Sequence, residues 1–244
     1  MLLLATVLVV IGLGDILRAL LPAGASTVLT FTGIGGLAAT ALLAAGLLTG
    51  LPWWSVGLCI LPIALWFMTV SVDTAAAPPS VRHAAPRVLG FILLSAVITV
   101  IGDSLVVGSE ALPVSTVGRF STEFAALALG LALFHVVSAN ALVRMALDAE
   151  QHGQQSSDSD LVVRTPQLKG GRWIGPLERI TLTGLLVAGA YPVVAGLIAA
   201  KGIIRFPEMH EDRAEGNKAE YFLVGSFVSW AVAIVAAGLL WTVR

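Results

Sequence analysis

The chain has 244 residues, of which 57% are apolar and only 12% charged, with a net charge of −1 at pH 7. A soluble domain carries about 25% charged residues, so this composition, at a mean hydropathy of +0.92, excludes an ordinary soluble fold and predicts a bilayer protein. The near-neutral balance leaves no basic field for nucleic acid, and one cysteine, Cys59, cannot close an internal disulfide.

A helix needs about 20 apolar residues to cross a bilayer, because its backbone polar groups must be satisfied within the segment. Five stretches before residue 147 meet this requirement: 2–21, 28–48, 53–72, 88–107 and 124–145. Turn-forming residues join them, among them Pro22 and Gly24, Pro52, Pro78 and Pro79, and Pro113. Trp53, Trp54 and Trp66 fall near the ends of the third stretch, where amphipathic rings favour the headgroup level. The first stretch is expected to stay as a span and not to be cleaved as a leader. No basic residue precedes its apolar run, and Asp15 and Arg18 interrupt it.

Residues 1–146 hold 10 of the 29 charges, and residues 147–220 hold 18. The chain therefore divides into a five-span block (1–146), a polar cytoplasmic linker (147–172) and a C-terminal membrane module (173–244). The linker is too polar to bury the surface that folding requires. Within the module, residues 180–200 carry no charge and 222–243 form the last span. Two arguments about 180–200 conflict. Its length matches a single crossing. Charge favours a hairpin turning between Gly189 and Pro192, which puts 12 basic residues on the cytoplasmic side against 2 outside; a single crossing divides them 9 to 5. The expected fold is an all-α polytopic transmembrane bundle of six spans plus a short helical hairpin, with seven spans as the alternative. In both, the N-terminus lies outside.

Glycine patterns such as Gly12-Leu-Gly14 and Gly33-Ile-Gly35-Gly36 lack the strand-then-helix setting of a dinucleotide fingerprint. Inside apolar spans they read as packing positions. His135 lies mid-span, where an ionisable group is costly and marks a functional candidate. The plainer reading is a neutral imidazole bonded to a neighbouring helix. Asp15 and Arg18, three apart, share one helical face and read as an ion pair, with Arg18 reaching towards the headgroups. The histidines show no metal-ligand spacing, and no catalytic triad or carboxylate pair stands out. No cofactor, metal or catalytic residue is expected.

The densest constellation lies in the C-terminal module: Glu178, Arg179, Lys201, Arg205, Glu208, Glu220 and Tyr221. If 180–200 turns back, these groups meet at one membrane face. They would form either an anion or headgroup site with Lys201 and Arg205 as donors, or an ion-pair network that seats the hairpin. The runs GRWIGPLERI (171–180), AGLIAAKGIIRFPEM (195–209) and AEYFLVGSFVSWAVA (219–233) resemble the bacterial membrane-protein family called domain of unknown function 3307. Gly202 stands where that family usually has serine after the lysine. The resemblance implies a multi-pass protein of the bacterial plasma membrane and supplies no activity. The function expected is a non-enzymatic accessory subunit or scaffold whose partners are the bilayer and other membrane proteins. A small ion-coupled carrier using Asp15 and His135 is the alternative, and an enzyme acting on a lipid-linked substrate is third.

Overall fold

The fold comes from a computed structural model that describes residues 1–21, 27–49, 52–70, 81–106, 116–117, 120–154, 171–211 and 217–244. Among the described residues it is all-helical apart from one two-residue antiparallel pairing, β1 (Thr116–Val117) with β2 (Phe120–Ser121). The chain forms two compact units, Met1–Ala141 with Thr242–Arg244, and Leu142–Trp241.

The first unit is built around α1 (Leu2–Leu20), which packs on α2 (Thr27–Thr49), α4 (Ile60–Thr69), α5 (Val81–Val106) and α6 (Thr122–Val136). Its closest neighbour is α6, and glycine is the reason. A methyl placed on Gly12 would lie 2.7 Å from Leu133 Cβ and 2.8 Å from its carbonyl carbon; one on Gly130 would lie 2.9 Å from the Ala5 carbonyl oxygen. The two backbones touch because neither glycine has a side chain. Gly35 and Gly36, expected as packing positions, face open space.

Two expected spans are broken. Residues 53–72 divide into α3 (Trp53–Leu58) and α4 at Cys59. Pro62 explains the break: it has no N–H for the carbonyl of Leu58, and its ring would collide with that oxygen in a continuous helix. Residues 124–145 divide at Val137 (φ −124°, ψ −51°) into α6 and α7 (Ser138–Gln154). The helix α7 runs through 147–154, so the expected linker begins as helix; residues 155–170 lie outside the described residues.

In the second unit α8 (Gly171–Val187) runs beside α10 (Asn217–Trp241), and α9 (Tyr191–Glu211) packs on α8. The register is uniform. Arg179 Nη1 donates to Ser229 Oγ at 3.3 Å, and Thr183 Oγ1 donates to the Ala233 carbonyl at 3.3 Å, each pair 50 residues apart. A constant offset over one helical turn makes α8 and α10 parallel. Between α8 and α9 the chain reverses. The Ala190 N–H donates to Leu185 O at 2.9 Å and the Gly189 N–H to Leu186 O at 3.1 Å, a Schellman cap with Gly189 at φ +74°. Pro192, in the first turn of α9, lacks only an N–H that no intrahelical acceptor awaits.

By length and composition, two helices among the described residues can cross a membrane, Leu2–Leu20 and Phe222–Trp241. A third is obtained if Thr122–Val136 and Ser138–Leu147, which meet at a bend, form one span. This corrects the six or seven spans expected. The run 124–145 is bent at Val137, the run 180–200 reverses at residues 188–190, and the apolar helical stretch Trp53–Thr69 is too short to count. The described apolar part of α2 is Thr32–Leu47, and that of α5 is Val88–Gly102.

Candidate functional site

Two polar centres lie inside these apolar units, one in each. In the first unit, α1 carries Asp15 inward, where its side chain is 0% exposed. Its Oδ2 accepts the indole N–H of Trp66 from α4 at 2.9 Å and the hydroxyl of Ser138, the first residue of α7, at 2.7 Å. Its Oδ1 accepts no hydrogen bond among the described residues and faces Arg18 Nη1 at 3.7 Å. The Trp66 ring is wedged against Phe91 and Phe134 at centroid distances of 4.9 and 5.3 Å. The Asp15 carboxylate is therefore roofed by aromatic carbon.

Arg18 bonds within the unit. Nη1 donates to Val70 O and Nη2 to Phe67 O, both at 3.1 Å, and the guanidinium lies 4.5 Å from the Phe67 ring centroid. These carbonyls belong to the end of α4, where four acceptors lose their intrahelical donors. Arg18 caps that end, and Asp15 balances its charge. His135, in the last turn of α6, is 1% exposed and sits in the interior of this unit.

In the second unit, Lys201 of α9 donates to both oxygens of Glu178 on α8, at 2.6 and 2.7 Å. Trp230 of α10 adds its indole N–H to Glu178 Oε1 at 3.0 Å. The Lys201 ammonium also lies 5.7 Å from the ring centroids of Phe222 and Trp230. Glu178 thus joins three helices through one carboxylate. Arg179, the next residue, bonds to Ser229 of α10 and is 1% exposed. The expected cluster is consequently divided: Glu178 and Lys201 meet, and Arg179 packs into the α8–α10 contact. The side chains of Arg205, Glu208, Glu220 and Tyr221 lie outside the described residues.

Four partners were missed from the sequence: Trp66, Ser138, Ser229 and Trp230. Trp66 was read as a headgroup-level ring, and the structure buries it completely. The signal was available. A tryptophan inside an apolar run brings one donor that needs an acceptor, and Asp15 is an isolated carboxylate in another run. Ser138 carried no such signal, because the break at Val137 aims its hydroxyl. The Lys201 ammonium spends two contacts on one carboxylate, which leaves it less able to bind an anion than a free lysine. Among the described residues, no three of His, Cys, Asp and Glu group as metal ligands.

Compared with family models, with curated proteins and with solved structures, the chain finds no match.

Proposed function

We propose that the protein is a non-enzymatic component of a membrane complex, an accessory subunit or scaffold whose helices pack against partners within the bilayer of a bacterial plasma membrane. The observation that carries this reading is an apolar exterior around an interior that holds several polar groups. Asp15, His135, Ser138, Arg179, Thr183 and Ser229 are buried, while Met68, Val100, Ile203, Phe227, Ile234 and Val235 are exposed. Lipid or a partner helix suits so apolar an exterior. Asp15 with Ser138, Arg179 with Ser229, and Thr183 with the Ala233 carbonyl bond across helices, which is what a packing component requires. The likeness of the three C-terminal runs to domain of unknown function 3307 is kept as the family proposed for the chain, with the N-terminus outside and the segment 147–172 cytoplasmic.

The contacts of the Glu178–Lys201 pair with α10 support a depth for it in the proposed membrane. Trp230 lies eight residues beyond Phe222, or about 12 Å at 1.5 Å per residue, within the 20-residue stretch Phe222–Trp241. The Lys201 ammonium is as close to the ring of Phe222, where that stretch begins, as to the ring of Trp230, so the Glu178–Lys201 pair would sit between one end of the apolar layer and its middle. A lysine bonded to both oxygens of one carboxylate seats helices.

Purification in a gentle detergent, followed by identification of co-purifying proteins, tests the reading. A membrane protein recovered in fixed ratio supports it. A solitary species that moves an ion in proteoliposomes, and loses that transport on Asp15→Asn, overturns it in favour of the second reading. That second reading is an ion-coupled carrier. It is favoured by the burial of Asp15 and His135 close to a broken helix, an arrangement that carriers use at their midplane sites.

A further inference from the structure

We propose that α9 is a latched arm, held against α8 and α10 by the Lys201–Glu178 pair, and that loss of this pair lets it swing away from the groove beside α10. Along residues 191–204 only Val194, Ile198, Lys201 and Gly202 are partly covered, and the other ten are exposed. The covered four recur at helical spacing, so α9 touches its neighbours along one narrow stripe. Lys201 joins α9 to both neighbours, bonding to Glu178 of α8 and lying 5.7 Å from the ring centroids of Phe222 and Trp230 of α10.

The stripe is not tightly filled: nothing lies within 4 Å of a methyl placed on Gly202. Near the turn a groove of about 260 Å³ opens, lined by Leu186, Tyr191, Ile234, Ala237, Gly238 and Trp241. The Schellman cap fixes the reversal itself. Beyond that turn the Lys201 pair is a polar hold on α9, ten residues further on, about 15 Å along the helix. In apolar surroundings an ion pair is strong while intact, and removing one partner leaves the other charge uncompensated. Once Glu178 is neutral, the Lys201 ammonium is drawn outward towards water or headgroups, and α9 moves with it. The inference rests on the membrane reading only for that apolar surrounding; the arm is read by distance and the scaffold by co-purification.

The test uses pairs of spin labels on the full chain in lipid nanodiscs, in a Cys59→Ala background. Leu197→Cys with Ile234→Cys reports α9 against α10, and Ile180→Cys with Val235→Cys reports α8 against α10. Glu178→Gln and Lys201→Met should each lengthen and broaden the first distance and leave the second unchanged. The double variant should match either single one, because both remove the same contact. An unchanged first distance overturns the latch. So does an equal shift in both pairs, which would make the ion pair a staple for the whole unit. A further shift in the double variant would mean that the two residues act separately, and the latch would fall as well.

Discussion

Trp66 donates its indole N–H to Asp15 Oδ2 across 2.9 Å, with 51 residues between the two in the chain. Ser138 adds a second donor to the same oxygen from the other direction. One carboxylate oxygen thereby ties α1 to α4 and to the start of α7, and the aromatic rings around Trp66 keep water from it. Much of the first unit's order depends on this contact, and its removal has a calculable cost.

Asp15→Ala leaves the Trp66 and Ser138 donors without their acceptor and the Arg18 guanidinium without its counter-charge. Breaking one side of a buried ion pair costs about 3–5 kcal/mol, so thermal unfolding in detergent should come at a clearly lower temperature. Ser138→Ala removes one donor and leaves the charge balance intact. Hydrogen bonds between membrane helices average about 0.6 kcal/mol and reach about 1.7, so the serine variant should lose far less. Equal losses in the two variants would mean that the carboxylate is not the organising group.

Glycine substitutions separate packing positions from empty ones. Gly12→Ala forces a methyl into the Leu133 backbone, where no rotamer change can make room. Overpacking of this kind costs about 1–3 kcal/mol. Gly36→Ala meets nothing within 4 Å and lies inside α2, so the gain in helix propensity, up to about 1 kcal/mol, should appear as a small stabilisation. Unfolding midpoints of the two variants measured side by side should move in opposite directions. Gly12→Ala leaving the midpoint unchanged would show that α1 and α6 do not touch at their backbones.

The helical class was legible because every run is apolar enough to need internal backbone bonding. Where the runs end was less so. Gly189 and Pro192 announced the reversal at residues 188–190, since one supplies a positive φ and the other starts a helix well. The break at Cys59 follows from Pro62 once the lost donor and the ring clash are considered, yet length alone had made 53–72 a single span. Val137 carries no local signal at all; a valine there sits as easily in a continuous helix. Pairings across long separations were similarly hidden. Glu178 with Lys201 could be inferred from the reversal, but the contact of Arg179 with Ser229 depends on the α8–α10 register, and neither sequence spacing nor charge counting contains that.

Trp230→Phe tests whether the indole N–H or the ring matters to the Glu178 centre. The phenyl ring keeps an aromatic face near Lys201 and removes the 3.0 Å donor to Glu178 Oε1. Glu178 retains both contacts from Lys201, so the loss should stay near 1 kcal/mol. Trp230→Ala removes donor and ring together and should cost about 3–5 kcal/mol, as truncation of a packed aromatic does. Denaturation of both variants in the same micelle gives the comparison. A phenylalanine variant as damaged as the alanine one would place the weight on the hydrogen bond.

Arg18→Lys keeps the charge and should still loosen the end of α4. The guanidinium fork reaches Val70 O and Phe67 O from two different nitrogens while lying on the Phe67 ring. A lysine ammonium is a single compact donor group without a planar face, so it cannot span both carbonyls in that pose. Hydrogen bonds from charged donors contribute about 1.5–3 kcal/mol each, and one of the two should be lost. The last turn of α4 would then fray, because its terminal acceptors regain no partner from within the helix. The Val70 N–H, bonded to Trp66 O at 2.8 Å, is the reporter. Its hydrogen exchange should accelerate in the lysine variant, while amides in the middle of α1 keep their protection. Unchanged exchange at Val70 would show that α4 ends there without help from Arg18, and that the Asp15–Arg18 pair serves α1 alone.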